Sequence, residues 1–181
     1  MPFFFFLKKW ELFKIITLKK GRTEIKIEAI VIGAGVVGLA VAKSLADKGI
    51  EVAVIEKEKR IGEGASTRNS GVIHAGLYYS PKSLKAKVCC DGRQKLYEYA
   101  ARKNIPFKKT GKLILATEKN QLEQLESLYE IGTANGVPLK ILSKEKVTVL
   151  EEEISCERAI FSSESGIISV PEYLSALEED I

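Results

Sequence analysis

The chain has 181 residues, of which 45% are hydrophobic and 29% charged, a composition typical of a globular protein with one medium-sized domain or two small ones. Its formal net charge is +4, but residues 1–22 carry six basic side chains and one acidic one, so the remaining chain has a net charge of −1. Because the basic charge is confined to this N-terminal segment, and no basic face with interleaved aromatic residues follows it, we exclude nucleic acid as a partner.

Residues 1–27 are predicted to be an extension that precedes the folded domain. Their longest apolar run, residues 3–7, is much shorter than the roughly 18 residues of a membrane-spanning helix. The lysines follow this run rather than precede it, which does not match a secretory signal. An alternative interpretation places Phe6, Trp10 and Phe13 on one face of a helix, so that residues 1–20 would make a peripheral contact with a membrane surface.

The segment that follows has the pattern of a βαβ unit. The β-branched run AIVIG at 29–33 predicts a strand buried on both faces. Residues 36–49 are rich in small and apolar side chains and predict a helix with Gly49 as its C′ residue. Residues 51–57, EVAVIEK, predict a second buried strand. This order of elements indicates an α/β fold with a parallel sheet.

The turn between the first strand and the helix has the spacing G-x-G-x-x-G, and Glu56 closes the second strand 23 residues after Gly33. Gly33 would allow the tight turn, Gly35 would let a pyrophosphate approach the backbone, and Gly38 would let helix and strand pack closely. The helix N-terminus would offer N–H groups to the phosphates, and Glu56 would accept hydrogen bonds from ribose hydroxyls. The pattern predicts an adenine-dinucleotide site, the alternative being a tight turn without a ligand. The predicted contacts in the turn are Gly33, Ala34, Gly35, Val36, Val37 and Gly38.

The segment ASTRNSG at 65–71 favours FAD over NAD as that dinucleotide. It is small and polar, so its backbone N–H and hydroxyl groups could surround more of a pyrophosphate and lead toward an isoalloxazine ring. A nicotinamide-dependent dehydrogenase would more often continue from the second strand into a crossover helix. Further FAD contacts are therefore predicted at Glu56, Lys57, Ser66, Thr67, Arg68, Asn69, Ser70, Gly71 and Val72.

The rest of the chain alternates between predicted helices and strands. Ser80 and Pro81 resemble the N-cap and first residue of a helix, whose apolar stripe consists of Leu84, Val88, Gly92, Leu96 and Ala100. Residues 111–117 predict a strand, and Thr117 is predicted to cap a helix that continues to Asn135. Residues 139–142 and 158–162 predict two more strands. Pro171 opens a last helix, predicted to be still running at residue 181.

The three cysteines, Cys89, Cys90 and Cys156, indicate a reducing compartment. Their number is odd and they lack CxxC spacing, so they predict neither a disulfide framework nor a metal site. With a single histidine in the chain, we expect no structural metal. These features predict a cytoplasmic protein, peripheral at the inner face of a membrane if residues 1–20 bind there.

Several motifs resemble the FAD-dependent L-2-hydroxyglutarate oxidase/dehydrogenase group of the D-amino-acid-oxidase-like flavoproteins. The most specific are RNSGVIHAGLYY at 68–79, SLKAK at 83–87 and TGKLILAT at 110–117, with SESGII at 163–168 in addition. The resemblance extends from about residue 29 to the chain end. Two positions depart from it, since the group commonly has Asp at the position of Ser169 and LEP where this chain has Leu-Glu-Glu at 150–152.

The resemblance implies a Rossmann-type FAD-binding domain joined to an α+β domain that caps the substrate. Residues 28–104 would be the N-terminal part of the FAD domain, residues 105–166 part of the cap, and residues 167–181 the start of a truncated return helix. Both domains would be incomplete, because members of the group are about twice this long. The implied chemistry is oxidation of an L-2-hydroxy acid such as L-2-hydroxyglutarate to the 2-oxo acid, with electrons passing to a quinone or oxygen.

Two other interpretations remain open. The chain could be a non-catalytic FAD-binding fragment or one part of a split flavoenzyme, or it could belong to an amine or amino-acid oxidase of the same wider family. A parallel sheet with only its first strands would leave hydrophobic faces uncovered. We therefore expect the isolated chain to be marginally stable and to show little or no turnover.

His74, the only histidine, is the candidate catalytic residue. It could orient the substrate or the flavin by hydrogen bonding, act as the general base that removes the hydroxyl proton, or form a covalent bond to the flavin as in some members of the wider family. The remaining possibility is a buried imidazole bonded to a backbone carbonyl. Arg68, Tyr78 and Lys112 are candidates for contacts with a dicarboxylate substrate.

Overall fold

The structure is a computed structural model that describes residues 4–6, 17–20 and 23–181, with side chains described from residue 27 onward. The chain divides into two compact units. The first unit consists of Met1–Ser70 and Ser169–Ile181, and the second of Gly71–Ile168. The elements in chain order are β1 (Phe4–Phe6), β2 (Thr17–Lys20), β3 (Thr23–Lys26), β4 (Ala29–Ile32), α1 (Val36–Ala46), β5 (Val52–Glu56), β6 (Val72–Ile73), α2 (Leu84–Arg102), β7 (Phe107–Lys108), β8 (Lys112–Ala116), a 3-10 turn (Lys119–Gln121), α3 (Leu122–Ala134), β9 (Leu139–Ser143), α4 (Lys144–Leu150), β10 (Arg158–Ser162), β11 (Gly166–Ile168) and α5 (Val170–Glu179).

The first unit contains the predicted βαβ unit. Strands β4 and β5 pair in parallel, with Val31 opposite Val54, and α1 connects them. Strand β1 pairs in parallel with the other edge of β5, which gives the strand order β1-β5-β4. Helix α1 buries Leu39 and Ala42. The predicted α/β architecture with a parallel sheet is therefore confirmed.

Strand β4 is less buried than its sequence predicted. Ile30 is 46% exposed and Ile32 is 86% exposed, whereas Ala53 and Val54 of β5 are buried. The side chain of Val31 points toward α1, 3.5 Å from a Cβ built on Gly38, so Ile30 and Ile32 lie on the opposite face because side chains alternate along a strand. The prediction that β4 is buried on both faces is wrong for the described residues, and the expected uncovered apolar face is present.

Both predicted helix ends in the first unit need small corrections. Helix α1 is capped by Asp47, and Gly49, with a φ of +77°, follows two residues later instead of directly after the cap. Helix α5 begins after Ser169 with a proline in its first turn, as predicted. It ends at Glu179 with Asp180 as its C-cap, so the prediction of a helix still running at residue 181 is wrong.

The second unit is built on an antiparallel sheet with the strand order β8-β10-β9. Helix α3 packs on one face, where Leu125 contacts Ala116 and Ile160. Helix α4 packs on the other, where Val147 forms a cluster with Cys156 and Ala159. Ala159 and Ile160 are neighbours on β10, and the alternation of side chains along a strand places them on opposite faces. The three predicted strands of this sheet are all present.

The boundary between the units differs from the predicted one after residue 104. Residues 71–104 belong to the second unit, because β6 pairs with β11 and because Tyr97 of α2 packs against Phe107, with ring centroids 5.4 Å apart. Strands β6 and β11 are distant in sequence, and Tyr97 and Phe107 lie on opposite sides of the predicted boundary. Neither contact can therefore be predicted from a local sequence pattern.

Helix α2 begins later than predicted. Its N-cap is Ser83, whose hydroxyl accepts a hydrogen bond from the Ala86 N–H at 3.1 Å, so the prediction of Ser80 as cap is wrong. The predicted apolar stripe is also only partly buried, since Leu84 is 76% and Val88 55% exposed. The buried residues of α2 are Ala86, Tyr97, Tyr99 and Ala100.

The turn before α3 is capped by Glu118 rather than by the predicted Thr117. Glu118 and Gln121 form a reciprocal capping box, in which each side chain bonds to the backbone of the other. The amide oxygen of Gln121 also accepts a hydrogen bond from the Thr117 N–H at 2.8 Å. Gln121 was the signal that sequence reasoning missed.

No described helix is long and apolar enough to cross a membrane. The prediction of a surface helix over residues 1–20 is wrong for Phe4–Phe6 and Thr17–Lys20, which are strands. The other residues of that segment lie outside the part of the chain that the structure describes. The three cysteines are free thiols, with Cys89 and Cys90 half-buried and Cys156 buried.

Candidate functional site

The glycine turn of the first unit requires glycine at two positions. Gly33 has a φ of +101°, a backbone conformation that side chains disfavour. A Cβ on Gly38 would lie 1.9 Å from the carbonyl oxygen of Gly33, so even a methyl group would collide with the backbone of the turn. The Gly33 N–H donates to the Ile55 carbonyl at 2.7 Å, which fixes the turn to the end of β5.

The N-terminus of α1 is covered by a loop from further along the chain. The Val36 N–H, the first of the helix, donates to the Ser66 hydroxyl at 2.9 Å. A Cβ on Gly35 would lie 3.1 Å from the same oxygen, and the Gly62 N–H donates to the Ala34 carbonyl at 2.8 Å. Ser66 therefore places a hydroxyl oxygen at the helix N-terminus, where the partial positive charge attracts anions.

Glu56 joins the end of β5 to the glycine turn. Its carboxylate accepts hydrogen bonds from the N–H groups of Ala34 at 2.6 Å and Glu58 at 3.0 Å. Burial opposes ionisation, but the N–H groups of Glu58, Ala34 and Lys57, together with the Lys57 charge, outweigh it, so the pKa of Glu56 lies below its ordinary value. Because a carboxylate offers about four lone-pair positions, acceptor capacity for ribose hydroxyls remains.

These residues line one cleft of about 480 Å³. Of the predicted cofactor contacts, Gly33, Gly35, Glu56, Lys57 and Ser66 line it. Sequence reasoning missed seven other lining residues, which are Ile32, Ile55, Glu58, Gly62, Glu63, Gly64 and Ala65. The two glycines at 62 and 64 were the signal in the sequence that could have indicated this part of the cleft. Two glycines that exclude side chains, a helix N-terminus and an ionised acid fit the phosphates and ribose of FAD.

Of the other predicted contacts in the first unit, Thr67 and Asn69 support the loop rather than line the cleft, and Val37 is 74% exposed outside it. The Thr67 hydroxyl donates to the Gly62 carbonyl at 2.8 Å, and the Asn69 side chain donates to the Ser66 carbonyl at 2.7 Å. Arg68 and Ser70 are exposed. Gly71 and Val72 belong to the second unit, where the Gly71 carbonyl accepts a hydrogen bond from the Ile168 N–H at 2.9 Å.

In the second unit, the His74 side chain is exposed. No hydrogen bond joins its imidazole to a residue that the structure describes, and the interpretation of a buried, backbone-bonded histidine is therefore wrong. Tyr78 and Lys112, both predicted to contact substrate, lie together, with the Lys112 Nζ 4.9 Å from the centre of the Tyr78 ring. Tyr78 is 46% exposed, so both groups can meet a solute.

The FAD dependent oxidoreductase (DAO) family model matches residues 28–181, and the chain therefore belongs to this family. The chain is also similar to a solved structure of L-alpha-glycerophosphate oxidase from Mycoplasma pneumoniae with FAD bound, with a TM-score of 0.76 and 30% identity over 83% of this chain and 41% of that one. The predicted cofactor, FAD, is confirmed.

Among curated proteins, the chain is similar to the mitochondrial L-2-hydroxyglutarate dehydrogenases of Arabidopsis thaliana, at 43% identity over 155 residues, and Dictyostelium discoideum, at 40% over 159 residues. Each match covers 85% of this chain but only 32% and 36%, respectively, of the relative. The chain thus spans about a third of the length of these relatives, so the expectation that members of the group are about twice as long as this chain is wrong for both of them. The predicted resemblance to this group is confirmed.

The expectation of a cytoplasmic location is wrong, because both of these relatives are named as mitochondrial proteins. The expectation rested on unpaired cysteines, which report a reducing environment. Free thiols do not distinguish one reducing compartment from another.

Proposed function

We propose that the protein to which this chain belongs oxidises an L-2-hydroxy acid, with L-2-hydroxyglutarate as the leading candidate, to the corresponding 2-oxo acid. Bound FAD would accept the hydride from the substrate carbon, and a quinone or oxygen would take the electrons onward. The observation that carries this proposal is the 43% identity to an L-2-hydroxyglutarate dehydrogenase over 85% of this chain. The cleft beside the glycine turn supports the cofactor part of the proposal.

In this proposal the first unit binds the adenine dinucleotide. The glycines allow the phosphates to approach the backbone, and the N-terminus of α1 together with Ser66 supplies hydrogen-bonding groups. Glu56 accepts hydrogen bonds from the ribose hydroxyls. Thr67 and Asn69 act by fixing the loop that carries Ser66, and the second unit provides the cap over the substrate.

His74 is proposed as the catalytic residue of the second unit. An exposed imidazole with no bond to a described residue has both ring nitrogens available to a substrate. An imidazole can donate or accept a hydrogen bond and can accept a proton, so His74 could orient the hydroxy acid or remove its hydroxyl proton as the hydride leaves. A covalent link to the flavin is the third role open to it.

Cations are needed to bind the carboxylates of the substrate. Lys112 is proposed for this task in the second unit, with Tyr78 packed beside its ammonium group at 4.9 Å as a wall of the pocket. Arg68, which is exposed in the first unit, is the second proposed cation. A charged partner gives a hydrogen bond to carboxylate about twice the strength of a neutral one.

The test begins with the native polypeptide, isolated with an antibody to residues 60–80. Its mass and FAD content are recorded, and reduction of a quinone or of oxygen is then measured with L-2-hydroxyglutarate, glycine and L-proline as substrates. Oxidation of the hydroxy acid supports the proposal. Oxidation of the amines instead would establish an amine oxidase, and FAD binding without any oxidation would establish a non-catalytic binding protein.

A further inference from the structure

Residues 74–79, here called the His74 loop, carry two residues of the proposed reaction, His74 and Tyr78. The loop lies between the end of β6 and the start of α2. Outside regular secondary structure, its carbonyl groups require partners from elsewhere. Those partners are side chains of α2 and of the residue that caps α3.

Arg93 of α2 holds the first part of the loop. Its Nη1 donates to the Ala75 carbonyl at 2.8 Å, a hydrogen bond strengthened by the positive charge. Its Nε lies 3.8 Å from the Glu164 carboxylate, and the Arg93 side chain is only 12% exposed. Glu164 also pairs with Lys109 at 3.4 Å. The guanidinium therefore lies between a carboxylate and the backbone next to His74, bonded to the backbone through Nη1, while its buried Nε has no hydrogen-bond partner among the described residues.

Asn135 holds the second part of the loop. Its side-chain nitrogen donates to the carbonyl oxygens of Gly76 at 3.1 Å and Tyr79 at 2.7 Å. The side-chain amide of Asn135 thus links the backbone of Gly76 to the backbone of Tyr79. Because an NH₂ group has two hydrogens, this pair of bonds uses its full donor capacity.

The loop also packs tightly on α2. Gly76 has a φ of +97°, and a Cβ at this position would lie 2.7 Å from the Cys90 sulfur. The Cys90 sulfur itself is 3.6 Å from the Ala75 carbonyl oxygen and 3.4 Å from that of Asn135. The helix and the loop therefore contact each other through sulfur as well as through Arg93.

We propose that Arg93 and Asn135 are positioning residues that hold the His74 loop in one conformation and thereby present His74 and Tyr78 to the substrate. The inference rests on the proposed function for the role of those two residues. Arg93 and Asn135 act through the backbone carbonyls of the loop.

The test uses the backbone amide of His74 in the full 181-residue chain. Because the chain contains one histidine, ¹⁵N-histidine labelling gives a single amide signal. We expect its order parameter to be about 0.85, the value of a rigid backbone, and to fall toward about 0.6 in Arg93→Ala and Asn135→Asp. Asn135→Asp removes both N–H donors without changing the size of the side chain. Arg93→Lys, which retains one cationic donor, should restore part of the order.

Two control variants separate positioning from loss of stability. Lys95→Ala changes an exposed residue of α2 and should leave the His74 signal unchanged. Val147→Ala opens a cavity in the core beneath α4, so it should lower the melting temperature while the order parameter stays high. A mobile His74 amide in the wild type, or equal loss of order in Val147→Ala and Asn135→Asp, would overturn the proposal. If Arg93→Ala does not fold, Arg93→Lys and Asn135→Asp still decide the result.

A kinetic measurement on the native flavoprotein extends the test. A displacement of about 1 Å can cost about 100-fold in rate, so Asn135→Asp should slow flavin reduction by L-2-hydroxyglutarate about 10- to 100-fold while FAD affinity stays unchanged. A loss of order without any loss of rate would overturn the positioning role. If the wild type reduces no flavin with any hydroxy acid, the proposed function fails, and the His74 amide alone then decides whether the two side chains hold the loop.

Discussion

Gly38 lies where the backbone leaves no room for a side chain. In an ordinary helix, replacing glycine by alanine is favourable by about 1 kcal/mol. In α1 the added methyl would lie 1.9 Å from the Gly33 carbonyl oxygen. We therefore expect the steric cost of that contact to outweigh the gain in helix propensity, so that alanine at this position lowers the stability of the fold.

The first prediction is that Gly38→Ala destabilises the chain by about 1–3 kcal/mol, the usual cost of overpacking, and abolishes FAD binding. Gly92→Ala is the matched control, because it is also a helical glycine but a Cβ there would meet nothing within 4 Å. Urea unfolding and flavin fluorescence quenching measure the two effects. If both variants behave alike, the close approach of helix and turn does not determine the site.

A second prediction concerns Glu56 and pH. The folded-state pKa of Glu56 lies below its ordinary value of 4.5, so its ionised form stabilises the fold above that value. This stabilisation is lost as the pH falls through the folded-state pKa. The difference in melting temperature between wild type and Glu56→Gln should therefore be present at neutral pH and shrink below about pH 4.5. The exposed Glu63→Gln serves as control, and parallel curves for wild type and Glu56→Gln would contradict the account.

A third prediction concerns His74. If it removes the hydroxyl proton, His74→Gln in the native flavoprotein should lower the rate of flavin reduction by about 10²- to 10⁴-fold. FAD binding should be retained, because His74 is not among the residues that line the cleft. Ser80→Ala, an exposed change a few residues away, should have no effect. An unchanged rate of flavin reduction in His74→Gln would eliminate the general-base role.

Among the elements, those with strong local patterns were predicted and those set by distant contacts were not. The strand, glycine turn and helix from Ala29 onward follow from the order of apolar and small residues, and residues 158–162 of β10 matched their prediction. The start of α2 was misplaced because Ser80-Pro81 and Ser83 are both acceptable caps by residue type. Only the geometry of the Ala86 N–H shows that Ser83 is used.

The cap of α2 gives a fourth prediction. Ser83→Ala should destabilise the second unit by about 1 kcal/mol, the typical cost of removing an N-cap hydroxyl. Ser80→Ala should change stability by less than about 0.5 kcal/mol, as surface substitutions usually do. Urea midpoints of the two variants provide the comparison. A larger loss for Ser80→Ala would show that the helix begins at the earlier serine in solution.

In the whole molecule, candidate residues are found in each of the two units of the chain. The dinucleotide contacts around the glycine turn lie in the first unit, while His74, Tyr78 and Lys112 lie in the second. The motif G-x-G-x-x-G with its acid predicted the first group from local spacing. The division of the chain into these two units depends on the pairing of β6 with β11. Neither strand's own sequence shows that the two strands pair.

Exposed apolar residues in the first unit are the reason that the isolated chain is expected to be marginally stable. Ile30 and Ile32 of β4 and Val37 and Val41 of α1 are exposed large hydrophobic residues of the first unit. Exposed apolar groups contribute no burial energy, which is about 25 cal/mol per Å² of apolar surface. We therefore expect this chain alone to unfold at low urea concentration and to show little turnover.

Anaerobic mixing of the native, FAD-containing protein with the two enantiomers of 2-hydroxyglutarate tests whether it oxidises an L-2-hydroxy acid. We expect the L enantiomer to bleach the flavin absorbance and to yield one 2-oxo acid per flavin, and the D enantiomer to leave the flavin oxidised. Flavin that stays oxidised with the L enantiomer, in a protein that has retained its FAD, would show that the proposed oxidation is wrong.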